Sequence, residues 1–138
     1  ITPMNNCIFC EIIAKKADAN IVFENDTVVA FLDIDPISDG HILVVPKKHI
    51  RDIHTLDEKT GSEIMKIAKK MADIIKNTFN FNGIMLMEVN GDFQDVPHFH
   101  MHVFGRNKEN DIKFQYPQNQ KTSKIELNKI AQKIKFNL

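Results

Sequence analysis

In residues 96 to 106, VPHFHMHVFGR, three histidines fall on alternate positions: His98, His100 and His102. Imidazole can take up a proton, give one up, attack phosphorus or bind a metal near neutral pH. On a strand, alternate side chains share a face, so the three histidines would stand together with Phe99, Met101 and Val103 packed behind them. CIFC carries the chain's two cysteines, Cys7 and Cys10. In a reducing compartment that spacing reads as a metal half-site or a redox pair ahead of a structural disulfide. Two thiolates do not close a tetrahedral zinc site, so a metal needs two more ligands from elsewhere.

One metal centre built from all three histidines would have to draw together outer residues about 13 Å apart along a strand. A His-x-His pair also suits a double-sheet fold of many short strands, but a long helical pattern interrupts this chain. Accumulation of histidines on an exposed strand face is the bland alternative. A division of labour uses the side chains better. One triad histidine joins Cys7 and Cys10, with His49 as the other candidate, in a Cys₂His₂ zinc site. The remaining two face a phosphate-bearing substrate, where a neutral imidazole attacks phosphorus and forms a phosphoramidate that water reopens. Its neighbour donates a proton or stabilises charge on the phosphoryl oxygens and leaving group.

The elements that must position these residues are modest. At 138 residues, 43% hydrophobic and 26% charged, the chain is expected to form one domain with its own core. Formal net charge is zero, which favours neither nucleic acid nor an anionic membrane as partner, so phosphate binding must be local. The apolar runs VVAFL and ILVV are too short to span a bilayer, and nothing at the start resembles a signal sequence, so a cytoplasmic protein is expected. Ile1, Thr2 and Pro3 precede the first methionine, Met4, and stay outside the fold argument.

CIFCEIIAKK has the makings of a short helix. NIVFE and TVVAFLDI read as strands around a turn at Asn25-Asp26, and HILVVPKKH as a third that Pro46 confines to a strand end or edge. Ile64, Ile67, Ala68, Met71, Ile74, Ile75 and Thr78 or Phe79 recur at helical spacing, and Thr55 with Glu58 forms a capping-box start signal. GIMLMEVN and HFHMHVF are the last strands, joined by the loop GDFQDVP. After Arg106 the chain turns polar and lysine-rich, a solvated face, and Ser123 with Glu126 starts a helix at 124–136. The fold expected is α+β: a single antiparallel sheet of about five strands with helices against one face. Residues 4–106 would form the domain and residues 107–138 a C-terminal extension.

HFHMHVF resembles the signature of the histidine triad (HIT) family, His-x-His-x-His followed by two apolar residues. CIFCEII, AFLDIDPISDGHILVVPKKHI and VNGDFQDVPHFHMHVFGR stand in that family's order and approximate spacing, so the resemblance covers residues 7 to 106. It implies a hydrolase or transferase acting at the α-phosphorus of a purine nucleotide, with His100 as the nucleophile. His102 would contact the phosphate and assist the leaving group, with His41 as supporting fourth histidine. Zinc-bearing relatives imply Cys7, Cys10, His49 and His98 as ligands of a structural Zn²⁺. Asp33 would accept both ribose hydroxyls, although an Asp here also suits the turn before Asp35-Pro36. Phe9, Ile12, Phe31, Leu32, Ile34 and Leu43 would form the slot for the base, although periodicity alone makes each ordinary core. Asn90 would touch the phosphate region.

The sequence departs from that pattern in one loop. Many members carry a longer run with a serine that helps hold the phosphate, whereas NGDFQDVPH is shorter and places Gln94 at the matching glutamine and Asp95 at the serine. An aspartate beside phosphate is repulsive unless it is protonated, paired with a histidine or turned away. The small, Hint-like bacterial branch is the best match, which implies a homodimer with a sheet continued across the interface. It also implies hydrolysis of purine nucleoside phosphoramidates or aminoacyl-adenylates. A dinucleoside polyphosphate hydrolase and a nucleotide-binding adaptor with vestigial activity are the rival readings.

Overall fold

The computed structural model describes residues 6–108, 112–118 and 121–138. The longest element is the helix α2, Glu58–Phe79, which buries Ile64, Ile67, Ala68, Met71 and Ile75 along one stripe. Each large aliphatic side chain so placed contributes about 1.5–3 kcal/mol. Ile74 and Phe79, also expected on the stripe, are exposed. Ile74 and Ile75 stand 100° apart on the wheel, and only Ile75 points at the sheet. The helix starts two residues later than the capping box predicts. Asp57 is the N-cap, accepting from the Thr60 N–H at 2.9 Å, while Thr55 closes a preceding 3₁₀ turn at Ile53–Thr55. Asn80 ends the helix in the left-handed conformation.

The sheet has five antiparallel strands in the order β1-β2-β3-β5-β4. They are β1 (Ile21–Glu24), β2 (Val28–Leu32), β3 (Ile42–Pro46), β4 (Gly83–Met87) and β5 (Met101–Arg106). Pro46 is the last residue of β3, where it opposes Val28 across the ladder. Strand alternation sorts the core into two clusters. Val28, Ala30, Ile42, Val44, Phe99 and Val103 pack against α2 on one face. Val29, Phe31, Leu43 and Val45 pack on the other against Cys7, Phe9, Cys10 and Ile12. These last belong to the short helix α1, Ile8–Ile13, and its N-cap Cys7. Helices therefore cover both faces of the sheet, not one, and this is why β2 and β3 read as unbroken apolar runs.

The histidine segment is only partly strand. β5 begins at Met101, so His102 alone of the triad lies in the ladder, opposite Leu43. Upstream, the Phe99 N–H donates to the Ile50 carbonyl, and the His98 carbonyl accepts from the His100 ring, so neither group is available to β3. The alternation survives: Phe99 enters the α2 cluster, whereas the His98 and His100 rings lie edge-on to Phe9 on the α1 face. Gly105 in β5 leaves room for Phe81, whose ring a β-carbon would meet at 1.8 Å. The final helix α3, Lys124–Phe136, is capped by Ser123 as expected and buries none of its residues. Glu109 and Asp111 of the polar stretch lie outside the described residues.

Candidate active site and metal centre

Cys7 and Cys10 reach the sheet from the start of α1, His49 from the turn after β3, and His98 from the segment ahead of β5. Their four ligand atoms lie within 4.8 Å of one another. His98 is wholly buried, and its Nε2–H donates to the Pro46 carbonyl at 2.8 Å. Its other nitrogen, Nδ1, is therefore bare, and it faces Cys7 Sγ at 3.4 Å and Cys10 Sγ at 3.5 Å. His49 Nδ1 is 3.2 Å from Cys10 Sγ. Burial pushes the His98 imidazole down to about 4, so it stays neutral, as a ligand must. A ring anchored through one nitrogen with the other turned to two thiols is the arrangement that supports a metal-bound histidine. The donor set fits zinc, with every position filled by protein.

Beside this centre, on the same face of the sheet, lies a cleft of about 350 Å³. Phe9, Ile12, Phe31, Leu32 and Leu43 give it apolar walls, and Asp33, Asp95, His100 and His102 line it with polar groups. Ile34 belongs to the rim and is 96% exposed, an apolar side chain open to whatever fills the cleft. His100 is buried, and its Nδ1 donates to the His98 carbonyl at 2.7 Å. A carbonyl only accepts, so this contact places the proton on Nδ1 and leaves Nε2 as the basic nitrogen of the neutral ring. Asp95 Oδ1 stands 3.1 Å from that Nε2, and because two acceptors do not pair, this contact holds one proton between carboxyl and ring for as long as Asp95 occupies it.

His41 and His102 form a second pair, with His41 Nε2 2.9 Å from His102 Nδ1. The Ile37 N–H donates to His41 Nδ1 at 3.0 Å, so the His41 proton must sit on Nε2 and point at His102. His102 Nδ1 accepts it, which leaves a proton on His102 Nε2. Burial pushes His102 down to about 4, helped by His100 and His41, and burial lowers His41 against the pull of Asp33. Asp33 Oδ1 accepts from the Asp35 N–H at 2.9 Å, the Asx turn that its place before Asp35-Pro36 suits. Asp33 Oδ2 lies 3.5 Å from His41 Nε2 and 3.8 Å from His102 Nδ1. These three side chains also approach as metal ligands would, but a protonated His41 Nε2 is a donor and not a ligand.

Two expected contacts are not brought to the cleft. Asn90 turns the other way, its Oδ1 accepting from the Ile53 N–H at 2.8 Å and its Nδ2 donating to Glu88. Gln94 donates to the Arg51 carbonyl at 2.7 Å. Both pin the loop ahead of the triad to the segment before α2. In turn, Ile8, Asp18, Ala19, Asp35 and Val96 line the cleft although the sequence singled out none of them. Asp18 and Ala19 follow α1 in an irregular stretch with no period to betray which way they face.

The family model described as HIT domain matches residues 14–109. The chain belongs to the histidine triad family. A HIT-like protein of Borreliella burgdorferi is 38% identical over 115 residues, covering 80% of this chain and 83% of that one. An adenosine 5'-monophosphoramidase of Candida albicans is 32% identical over 110 residues, covering 75% and 72%. Among solved structures, a HIT family protein from Bacillus anthracis superposes with a TM-score of 0.88 at 38% identity, covering 97% of this chain and 98% of the other. A zinc-bound histidine triad protein from Mycobacterium smegmatis gives a TM-score of 0.74 at 27% identity, covering 83% and 85%. A histidine triad nucleotide-binding protein from Candida albicans superposes on this HIT protein with a TM-score of 0.85 at 29% identity, covering 96% of each chain.

Proposed function

We propose that this HIT protein is a nucleoside phosphoramidase that works through a nucleotidyl-histidine at His100. The observation that carries the reading is the His100 Nδ1–H contact with the His98 carbonyl, which turns Nε2 toward the cleft, where it is the attacking nitrogen once a substrate phosphate takes the place of Asp95. In the first step Nε2 forms a bond to the α-phosphorus as the bond to the leaving amine breaks, and the amine departs with a proton taken up from solvent, which the attacking water gives back in the second step. In the second, water attacks the phosphorus, the phosphorus–histidine bond opens, and a nucleoside monophosphate and neutral His100 result. His102 offers its Nε2–H to the phosphoryl oxygens, and His41 holds His102 in that tautomer through its own Nε2–H. Asp33 accepts from the ribose hydroxyls, and Phe9, Ile12, Phe31, Leu32, Ile34 and Leu43 sandwich a purine. Aminoacyl-adenylates, with the same phosphorus and a carboxylate leaving group, are the related substrates.

The remaining assignments belong to the same reading. Cys7, Cys10, His49 and His98 hold a structural Zn²⁺, which ties α1 to the segment ahead of β5. Residues 4–106 form the domain and residues 107–138 the extension. The protein works in the cytoplasm as a homodimer. The edge strand β4 supports the dimer, because its apolar residues Ile84, Met85, Leu86 and Met87 are none of them fully buried. No helix among the described residues is long and apolar enough to cross a membrane.

The deciding experiment is single-turnover hydrolysis of adenosine 5'-phosphoramidate, with acid quench and mass spectrometry of the HFHMH peptide. A nucleotidyl adduct is expected in the wild type and absent in His100→Ala, whose turnover falls on the order of 10³-fold or more while nucleotide binding persists. Undiminished turnover in His100→Ala would remove the covalent route. Release of a mononucleotide and a shortened polyphosphate nucleotide from a dinucleoside polyphosphate, without phosphoramidate turnover, would favour the other hydrolase.

A further inference from the structure

Asp95 is the residue that sets this cleft apart. Its Oδ1 lies 3.1 Å from His100 Nε2 and also accepts from its neighbour's N–H, that of Val96, at 2.9 Å. The side chain is 78% exposed although its partner ring is 2% exposed, so the carboxylate sits at the opening of the cleft, over the nucleophile. A phosphorus attacked by Nε2 must come to that same nitrogen. Attack is in line, so the phosphate takes the place beside Nε2 that Asp95 Oδ1 now holds, and the leaving group departs on the far side, into a cleft that Asp95 also lines.

The carboxyl side chains that line the cleft, those of Asp18, Asp33, Asp35 and Asp95, meet no lysine or arginine among its described lining residues. The α-phosphate has the His102 Nε2–H to meet it, but nothing there neutralises a second or third anionic group. We infer that Asp95 makes the leaving-group side selective for charge, favouring amines that carry a further positive group and rejecting carboxylate-bearing or polyphosphate leaving groups. This rests on the phosphoramidase reading and deepens it: the preferred substrates are nucleotide phosphoramidates of diamines and of basic amino compounds.

The test uses three adenosine 5'-phosphoramidates of similar size, made with ethylenediamine, ethanolamine and glycine, whose free ends are cationic, neutral and anionic. Wild-type kcat/KM is expected to fall in that order, by about tenfold at each step. Asp95→Asn should compress the series toward equality and Asp95→Lys should invert it, whatever either does to the absolute rate. The order should also flatten in wild type as salt is raised. A wild-type series without charge order, or an order kept in both variants, would overturn the inference while leaving the phosphoramidase reading intact. Failure of the wild type to hydrolyse even the neutral compound would overturn both.

Discussion

His102 is one of the buried side chains through which acid should destabilise the folded protein. Its folded value is about 4, against about 6.5 for an unperturbed imidazole. Between those values the unfolded chain takes up a proton that the folded one refuses, so stability is lost as pH falls from about 6.5 toward 4 and is unaffected above that window. The groups facing His102 pull both ways: burial, His100 and His41 lower it, and Asp33 and Asp95 raise it. Urea midpoints measured at pH 7 and pH 5 should therefore draw together in His102→Gln relative to wild type. An unchanged difference would place the acid sensitivity elsewhere. The roles of single residues were unevenly legible in the sequence. Spacing alone grouped the three histidines, but which ring nitrogen carries a proton is decided by the Ile37 N–H and the His98 carbonyl, and no pattern of letters reports that. Asn90 and Gln94 show the same limit, since their type fits a phosphate contact and their partners are backbone groups across a loop.

Among the elements, α2 was plain from its period, and its start was not. Thr55 with Glu58 and Asp57 with Thr60 are both plausible caps, and the helix uses the second because the first is spent on a 3₁₀ turn. Asp57→Ala should consequently cost about 1 kcal/mol in chemical denaturation, and Thr55→Ala distinctly less. A larger loss at Thr55 would mean that the turn, rather than the cap, fixes the entry to α2. Gly105→Ala should destabilise by about 1–3 kcal/mol or more, because the new methyl and the Phe81 ring cannot both stay where they are. The placement of α1 escaped the sequence reading for a related reason. Six residues give too few turns to show a stripe, and the face they cover follows from the ligands and rings they carry. Cys10→Ser should lower zinc content and the thermal midpoint together, with a smaller direct effect on the chemical step. Full zinc occupancy in that variant would remove Cys10 from the ligand set.

At the scale of the molecule, α2 and its hydrocarbon core hold one face of the sheet, and the cleft and the cluster of Cys7, Cys10, His49 and His98 occupy the other. The C-terminal helix stands apart from both, with Ile125, Leu127, Ile130 and Ile134 all exposed. Removing residues 107–138 should leave the thermal midpoint of the domain nearly unchanged. Retained catalysis with loss of a cellular partner would make the tail an adaptor, and loss of activity would make it part of the site. His98 joins the two halves of the chemical face. Its ring is turned toward the cysteines, and its backbone oxygen holds the His100 proton. All that the proposed reaction requires of that corner is one carbonyl oxygen held still. Any substitute that fixed it equally well, a packed aromatic cluster or a tighter turn, would let a descendant of this chain lose the Cys7, Cys10 and His49 side chains and keep the same proton on His100.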